Sequence, residues 1–140
     1  MATYPEYMVA PIRLDLTEAG FEQLMTPEEV DQALSADSGT VLVAVNSVCG
    51  CAAGKARPAL KMAVSSSEKK PAKLVTVFAG METDAVAQAR QHMLPYPPSS
   101  PCIALFKDGE LVHMIERYHI EGNDLMRLVN NLQGAFEEHC

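Results

Sequence analysis

Two cysteines separated by a single glycine are the residues of this chain best suited to chemistry. Cys49, Gly50 and Cys51 follow a strongly apolar segment, 40–45, and precede a stretch, 52–64, whose apolar residues have helical spacing. A cysteine at the start of a helix lies among unpaired backbone N–H groups, at the positive end of the helix dipole. Because that environment stabilises a thiolate over a thiol, we predict thiol–disulfide exchange at Cys49 and Cys51.

Residues next to the pair bear on its reactivity. Gly50 tolerates backbone angles that other residues avoid, so it permits the strained backbone that a disulfide between Cys49 and Cys51 requires. A strained disulfide is easily reduced, which predicts a labile couple rather than a permanent crosslink. Lys55 and Arg57 follow within two turns and either lower the pKa of the cysteines or point into water.

The other two cysteines each have more than one interpretation. Cys102 begins a predicted strand and is either a neighbour of Cys49 that forms an alternative disulfide or a small buried apolar residue, which we favour. Cys140 is the last residue, and its interpretations are an accessory resolving thiol, a dimerising thiol or an inert tail residue. Of these we favour a redox role. Zinc binding is a competing interpretation of Cys49 and Cys51, in which Cys102, Cys140 and His139 complete a tetrahedral ligand set. No second close pair at zinc-finger spacing occurs, so we predict no metal.

The remaining sequence predicts the elements that position this pair. Thr26, Pro27 and Glu29 form a helix start of the capping-box type, with the helix running to about residue 35. Segment 40–45 is short, β-branched and apolar, which is typical of a central parallel strand buried on both faces. Pro58 either kinks the following helix or starts its regular part. The further predicted elements are a strand over 73–78, a helix over 83–93, a hairpin of strands 102–106 and 110–115 around Asp108-Gly109, and a last helix from 122 or 123 to about 138.

This order of elements predicts one α/β domain over residues 1–140, a mixed central β-sheet flanked by α-helices. Residues 1–20 are expected to form an N-terminal arm, with at most a short extended piece around 12–16. The methionines, including Met62, Met93, Met114 and Met126, are expected to fill the core. The four histidines are expected to be solvated or to cap helices.

Charge and hydropathy exclude several classes of partner. The formal net charge of -7 argues against nucleic acid or an anionic membrane surface, because both require clustered Lys and Arg. No apolar stretch approaches the roughly 20 residues that cross a bilayer. Residues 1–7 do not have the pattern of a secretory signal, so we expect a cytoplasmic protein whose cysteines are redox-active.

From about residue 25 to residue 140 the chain resembles the thioredoxin superfamily, with a strand, redox cysteines, a helix and a proline-led hairpin. The resemblance implies a thioredoxin-like fold in which Pro101 is cis and faces the cysteines. It also implies that a substrate pairs with the backbone around Ser100 and Pro101, next to Gly50. Three features depart from thioredoxin. One residue instead of two separates the cysteines, strand 41–45 carries no acid, and Val48 replaces the tryptophan before the motif. All three argue against a general dithiol reductant.

A more specific resemblance covers nearly the whole chain. Segments 46–54, 75–80, 96–101 and 116–122 resemble the bacilliredoxin family of Firmicutes and related bacteria. That family implies removal of the low-molecular-weight thiol bacillithiol from mixed disulfides on client proteins, with disulfide isomerisation as an associated activity. It implies no bound cofactor, since bacillithiol is a substrate or co-substrate. Cys49 is then the attacking thiolate, and either Cys51 or a second bacillithiol resolves the adduct.

Overall fold

A computed structural model describes residues 2–140 of the chain. No helix within these residues is long and apolar enough to cross a membrane. In chain order the elements are α1 (Glu6–Thr17), β1 (Glu22–Gln23), α2 (Pro27–Ala33), β2 (Thr40–Asn46), a π-helical turn (Ala52–Ala56), α3 (Arg57–Ser66), β3 (Lys73–Phe78), α4 (Thr83–His92), β4 (Cys102–Lys107), β5 (Glu110–Ile115), α5 (Arg117–Gly122) and α6 (Leu125–His139).

The five strands form one mixed sheet in the order β1-β3-β2-β4-β5. β2 is the central strand, and its register places Val43 between Val75 of β3 and Ala104 of β4. Because strands flank it on both sides and helices cover both faces, six of its seven residues are buried. β1, β3 and β2 are parallel, whereas β4 is antiparallel to both β2 and β5. The prediction of a central buried strand is therefore confirmed, with parallel pairing on the β3 side only.

Alternation of side chains along β2 divides the core between the two faces of the sheet. Leu42 and Ala44 pack on the face covered by α3 and α6. Val41, Val43 and Val45 pack on the opposite face, beneath α2 and α4. The predicted architecture of helices on both sides of a mixed sheet is confirmed.

The N-terminal residues fold differently from the expectation of an extended arm. Residues 6–17 form α1, which places Pro5 at the N-cap, where a missing N–H costs nothing, and holds Pro11 on its exposed side. Val9 and Leu16 are fully buried and Ile12 is half-buried. Their spacing of three and four residues is the helical signal that could have revealed α1.

The segment after the cysteines combines two helical geometries. A π-helical turn precedes α3, which begins at Arg57 with Pro58 in its first turn. Of the two interpretations of Pro58, the start of the regular helix is therefore confirmed. The loop expected before the last helix contains α5, and Asp124 caps α6 by accepting the N–H of Arg127 at 2.9 Å.

Local sequence signals located the turns and caps well. The capping box is present, since Glu29 N–H donates to Thr26 Oγ1 at 3.2 Å and Thr26 N–H donates to Glu29 Oε1 at 3.1 Å. Asp108 and Gly109 turn the hairpin with φ values of 50° and 83°. At Gly109 a Cβ would lie 3.2 Å from the carbonyl oxygen of Leu34, so both the backbone angle and the space favour glycine.

Methionines and histidines divide between predicted and unpredicted roles. Met93 is buried, but Met62 and Met126 are 39% and 53% exposed, so the expectation of core filling is wrong for these two. His119 caps the start of α5, because its Nδ1 accepts the N–H of Glu116 at 3.1 Å. The predicted capping role is confirmed for this histidine.

Candidate active site

The two motif cysteines lie directly after β2, at the carboxyl end of this central strand. Their Sγ atoms lie 2.7 Å apart, both thiols are free, and both side chains are half-buried. The carbonyl oxygen of Cys49 accepts the N–H groups of Ala52 at 3.0 Å and Ala53 at 3.2 Å, which fixes the first helical turn directly after the strand. The two sulfurs are thus adjacent, which is the first condition for disulfide formation between them.

The surroundings make the two thiols unequal. Hydrogen bonds from the Cys51 thiol and from the backbone N–H of Cys51 lower the pKa of Cys49, and the charge of Arg117 and the N–H of Ala52 act in the same direction. Burial raises the pKa of Cys51, and the neighbouring Cys49 thiolate raises it further. Cys49 is therefore the thiol that ionises first, while Cys51 retains its proton.

Arg117 is a residue of the site that the sequence did not single out. It lies at the start of α5, where Nε donates to Glu121 Oε1 at 2.9 Å and Nη1 donates to the carbonyl oxygen of Ser100 at 3.3 Å. Its backbone N–H donates to Ser99 Oγ at 3.3 Å. The only signal in the sequence was its position within segment 116–122, because its proximity to the cysteines arises from the packing of α5 against the π-helical turn.

Arg57 has a structural role beneath the cysteine loop. Its buried guanidinium donates from Nη1 to Asn46 Oδ1 and to the carbonyl oxygen of Ser47, both at 2.9 Å, and from Nε to Asp15 Oδ2 at 3.2 Å. Ser47 Oγ in turn accepts the N–H of Cys49 at 3.1 Å. Arg57 therefore ties α1 and the end of β2 to the cysteine loop.

Lys55 is also directed away from the thiols. Its Nζ donates to the carbonyl oxygen of Glu121 at 2.9 Å, which links the π-helical turn to the end of α5. The main influences on the pKa of Cys49 and Cys51 include the charge of Arg117 but neither Lys55 nor Arg57. The sequence left open whether Lys55 and Arg57 act on the cysteines or point into water, and the structure shows both hydrogen-bonded to other parts of the chain.

The proline-led segment, residues 95–101, reaches the same end of the sheet. The bond between Ser100 and Pro101 is cis, as the resemblance implies, and Pro101 is buried. The next residue, Cys102, pairs with Val45, four residues before Cys49, which places Ser100 and Pro101 alongside the cysteine loop.

Gly50 has an ordinary backbone conformation while the two thiols are free. In the dithiol form its φ lies outside the left-handed region, and a Cβ at this position would meet no heavy atom within 4 Å. The strained backbone expected of Gly50 concerns the disulfide form, so that expectation stays a prediction. The glycine leaves open space between the two cysteines on the exposed side of the turn.

The two remaining cysteines are not partners of the pair. Cys102 is fully buried on the face of the sheet covered by α2 and α4, whereas Cys51 packs on the opposite face. Burial raises the pKa of Cys102 to about 11. Cys102 is thus a core residue, and its interpretation as a neighbour of Cys49 is wrong.

Cys140 lies at the far end of the sheet. Its thiol is close to Thr40, the first residue of β2, and burial against this region raises its pKa. A strand of this length spans about 20 Å, so Cys140 lies well beyond reach of Cys49 as a resolving thiol. The ligand set considered for zinc is divided between two ends and two faces of the sheet. Within residues 2–140 no group of three His, Cys, Asp or Glu side chains could hold a metal ion.

Sequence comparison places this site in a family. A bacilliredoxin from Cytophaga hutchinsonii is 51% identical over 135 residues, which cover 96% of this chain and 98% of that protein. A bacilliredoxin from Halalkalibacterium halodurans is 52% identical over 140 residues, covering 98% of this chain and 96% of the relative. The chain belongs to the bacilliredoxin family. The profile of a family described as disulphide isomerase also matches residues 4–140.

Solved structures similar to this bacilliredoxin-family chain include thioredoxins. A mutant thioredoxin from Halobacterium salinarum superposes with a TM-score of 0.60 at 18% identity, covering 86% of this chain and 91% of that one. A thioredoxin from Malassezia sympodialis gives a TM-score of 0.59 at 15% identity, with 86% and 90% coverage. At these identities the likeness establishes the thioredoxin fold. Together with the bacilliredoxin relatives, it identifies the chain as a thiol–disulfide oxidoreductase.

Proposed function

We propose that this chain removes bacillithiol from mixed disulfides on client proteins, with Cys49 as the residue that accepts the adduct. The observation that carries the proposal is the inequality of two adjacent thiols, in which Cys49 has a lowered pKa and Cys51 a raised one. A single ionised, partly exposed thiolate is suited to taking up a small thiol. The bacilliredoxins that share about half of its residues support bacillithiol as that thiol.

The first step is a single disulfide exchange. The Cys49 thiolate attacks the bacillithiol sulfur of the mixed disulfide, so that a bond forms between Cys49 Sγ and bacillithiol while the bond to the client sulfur breaks. The electron pair of that bond leaves on the client thiolate, which takes a proton from water. No net oxidation occurs, because the disulfide has only moved from the client to Cys49.

The second step releases bacillithiol. Cys51 loses its proton to water and attacks Cys49 Sγ, which forms the disulfide between Cys49 and Cys51 and expels bacillithiol as a thiolate. The short distance between the sulfurs supports this internal route. A second bacillithiol molecule provides the alternative route, in which it attacks the adduct and leaves as bacillithiol disulfide. The internal disulfide is returned to the dithiol by two equivalents of a small-thiol reductant.

This proposal requires client proteins and a small thiol but no bound cofactor. We propose the cytoplasm as the compartment, since the cycle needs a pool of reduced small thiols to restore Cys49 and Cys51.

The test is transfer of bacillithiol from a reporter protein that carries it on one cysteine. We expect intact mass spectrometry to show the adduct on Cys51→Ala, where it cannot be resolved internally, and a transient adduct or the internal disulfide in the wild-type chain. Cys49→Ala should leave the reporter modified, and Cys140→Ala, a matched cysteine replacement at the far end of the sheet, should behave like wild type. Transfer by Cys49→Ala at the wild-type rate would contradict the proposal.

Disulfide isomerisation is the second candidate, because the matching family profile is described as disulphide isomerase. The same Cys49 thiolate would attack non-native disulfides in a client and leave as the client rearranges. Recovery of activity from scrambled ribonuclease measures this reaction directly. Isomerisation without any uptake of bacillithiol would make it the leading function of the site.

A further inference from the structure

Arg117 presents hydrogen-bond donors that the protein itself does not use. A guanidinium has five N–H groups, and here one on Nε serves Glu121 and one on Nη1 serves the carbonyl oxygen of Ser100. Within residues 2–140, Nη2 has no protein acceptor, and the side chain is 44% exposed. A cation with free donors therefore faces solvent at the candidate active site.

Two hydrogen bonds of its side chain locate Arg117. Nη1 is held by Ser100, directly before Pro101, and Nε is held by Glu121 on the next turn of α5. Lys55 binds the carbonyl oxygen of Glu121, which attaches α5 to the π-helical turn behind the cysteines. The guanidinium thus contacts the proline-led segment, and α5, which carries it, packs on the π-helical turn that follows the cysteine pair. The positive charge of Arg117 lowers the pKa of both cysteines.

An incoming anion would meet little competition for this cation. The pair between Arg117 and Glu121 is an exposed i,i+4 ion pair, and such pairs contribute little to stability. A carboxylate can bind the unused edge of the guanidinium or displace Glu121, and two parallel N–H donors suit the two oxygens of a carboxylate.

We propose that Arg117 is a specificity residue that favours disulfides bearing a carboxylate close to the sulfur attacked by Cys49. The proposal rests on the exchange function proposed above but does not depend on which small thiol is the natural substrate. Glu121 opposes the preference, because its carboxylate occupies part of the same guanidinium. The substrate class is therefore an anionic low-molecular-weight thiol in disulfide linkage.

Three small disulfides of different charge test this preference. The probes are 3,3′-dithiodipropionate, which is anionic, 2-hydroxyethyl disulfide, which is neutral, and cystamine, which is cationic. In each case the Cys49 thiolate forms a mixed disulfide with one half of the probe, and the other half leaves as a thiolate that is protonated by water. A background of Cys51→Ser and Cys140→Ser lets the adduct on Cys49 accumulate for intact mass spectrometry.

The measured quantity is the rate with each charged probe divided by the rate with the neutral probe in the same variant. This ratio cancels any change in the nucleophilicity of Cys49. We expect Arg117→Gln to lower the ratio for the anionic probe by roughly three- to tenfold and to leave or raise the ratio for the cationic probe. Arg117→Lys should retain most of the preference, Glu121→Gln should increase it, and 0.5 M salt should reduce it.

Lys107→Gln is the matched control, since it removes one positive charge from the exposed end of β4, opposite Thr40 and far from the cysteines. It should leave both ratios unchanged. If Arg117→Gln slows all three probes by the same factor, Arg117 acts only on Cys49 and the proposal is wrong, while exchange at Cys49 stands. If no probe adds to Cys49, the exchange function fails and this proposal fails with it.

Discussion

Cys49 and Cys51 have the same side chain, and their different ionisation comes from a displacement of two residues along the first helical turn. Cys49 lies before the turn and receives N–H groups from Cys51 and Ala52. Cys51 lies within the turn and packs against the core beneath α3 and α6, where desolvation favours the neutral thiol. The unequal ionisation of the two thiols thus arises without an acidic side chain on β2.

The pH dependence of alkylation should report this inequality. Because the pKa of Cys49 is lowered, we expect iodoacetamide to modify it at a pH where an ordinary thiol is still protonated, with the rate falling as pH drops through that pKa. Arg117→Gln removes one stabilising charge and should move the midpoint to higher pH, whereas Lys107→Gln should not. Site-resolved mass spectrometry over pH 5 to 10 measures both. Faster modification of Cys51 than of Cys49 near neutral pH would contradict the assignment.

At the scale of elements, an ion pair with little exposure attaches α1 to the sheet. The Glu82 side chain is 4% exposed and accepts Arg13 Nη1 at 3.0 Å, Arg13 Nη2 at 2.8 Å and the backbone N–H of Phe78 at 2.9 Å. The Arg13 guanidinium also lies over the Phe78 ring, 5.3 Å from its centroid. Since α1 reaches the cysteine loop through Asp15 and Arg57, this anchor supports the site from a distance.

Loss of Glu82 should destabilise the protein and release α1. Glu82→Ala leaves the charge of Arg13 without its buried partner, so we expect the free energy of unfolding to fall by about 3 kcal/mol. Hydrogen exchange in residues 6–17 should accelerate. Glu6→Ala is the control, because Glu6 pairs with the same arginine but is 58% exposed, and its loss should cost under about 0.5 kcal/mol. Urea unfolding distinguishes these outcomes, and equal effects of the two variants would refute the anchor.

Sequence reasoning succeeded where the signal is local and failed where it depends on packing. The apolar run of β2, the capping box at Thr26 and the turn at Asp108-Gly109 are each decided by neighbouring residues, and all three were predicted. Arg57 and Arg117 were not distinguishable in this way. Only the fold buries Arg57 beneath the cysteine loop and carries Arg117, 68 positions after Cys49 in the chain, to the thiols.

At the scale of the whole molecule, the sheet keeps the thiol of Cys102 away from water and from the other cysteines. An unfolded chain would expose this thiol and return its pKa to about 8.5, whereas burial in the fold raises the pKa to about 11. The unfolded state therefore loses this proton at a lower pH than the folded state does. Stability from this group is present below about pH 8.5 and is lost as pH rises through 11.

We therefore expect the free energy of unfolding to fall by about 2 kcal/mol between pH 8.5 and pH 11 because of Cys102 alone. Lysines, tyrosines and the other cysteines also titrate in this range, so the comparison is with Cys102→Ala, which should have a flatter pH profile. Urea unfolding at several pH values gives both profiles. Parallel profiles would show that Cys102 contributes nothing to the dependence on pH.

The separation of the cysteines by the sheet also limits the states that oxidation can produce. Disulfide exchange needs sulfurs in direct contact, and of the four cysteines, all within residues 2–140, only Cys49 and Cys51 meet this condition. Cys102 is buried on the other face of the sheet, and Cys140 lies at its opposite end. Within the intact fold, a disulfide between cysteines of the same chain is therefore confined to this one pair. While the chain is folded, intramolecular exchange cannot move the disulfide to Cys102 or Cys140.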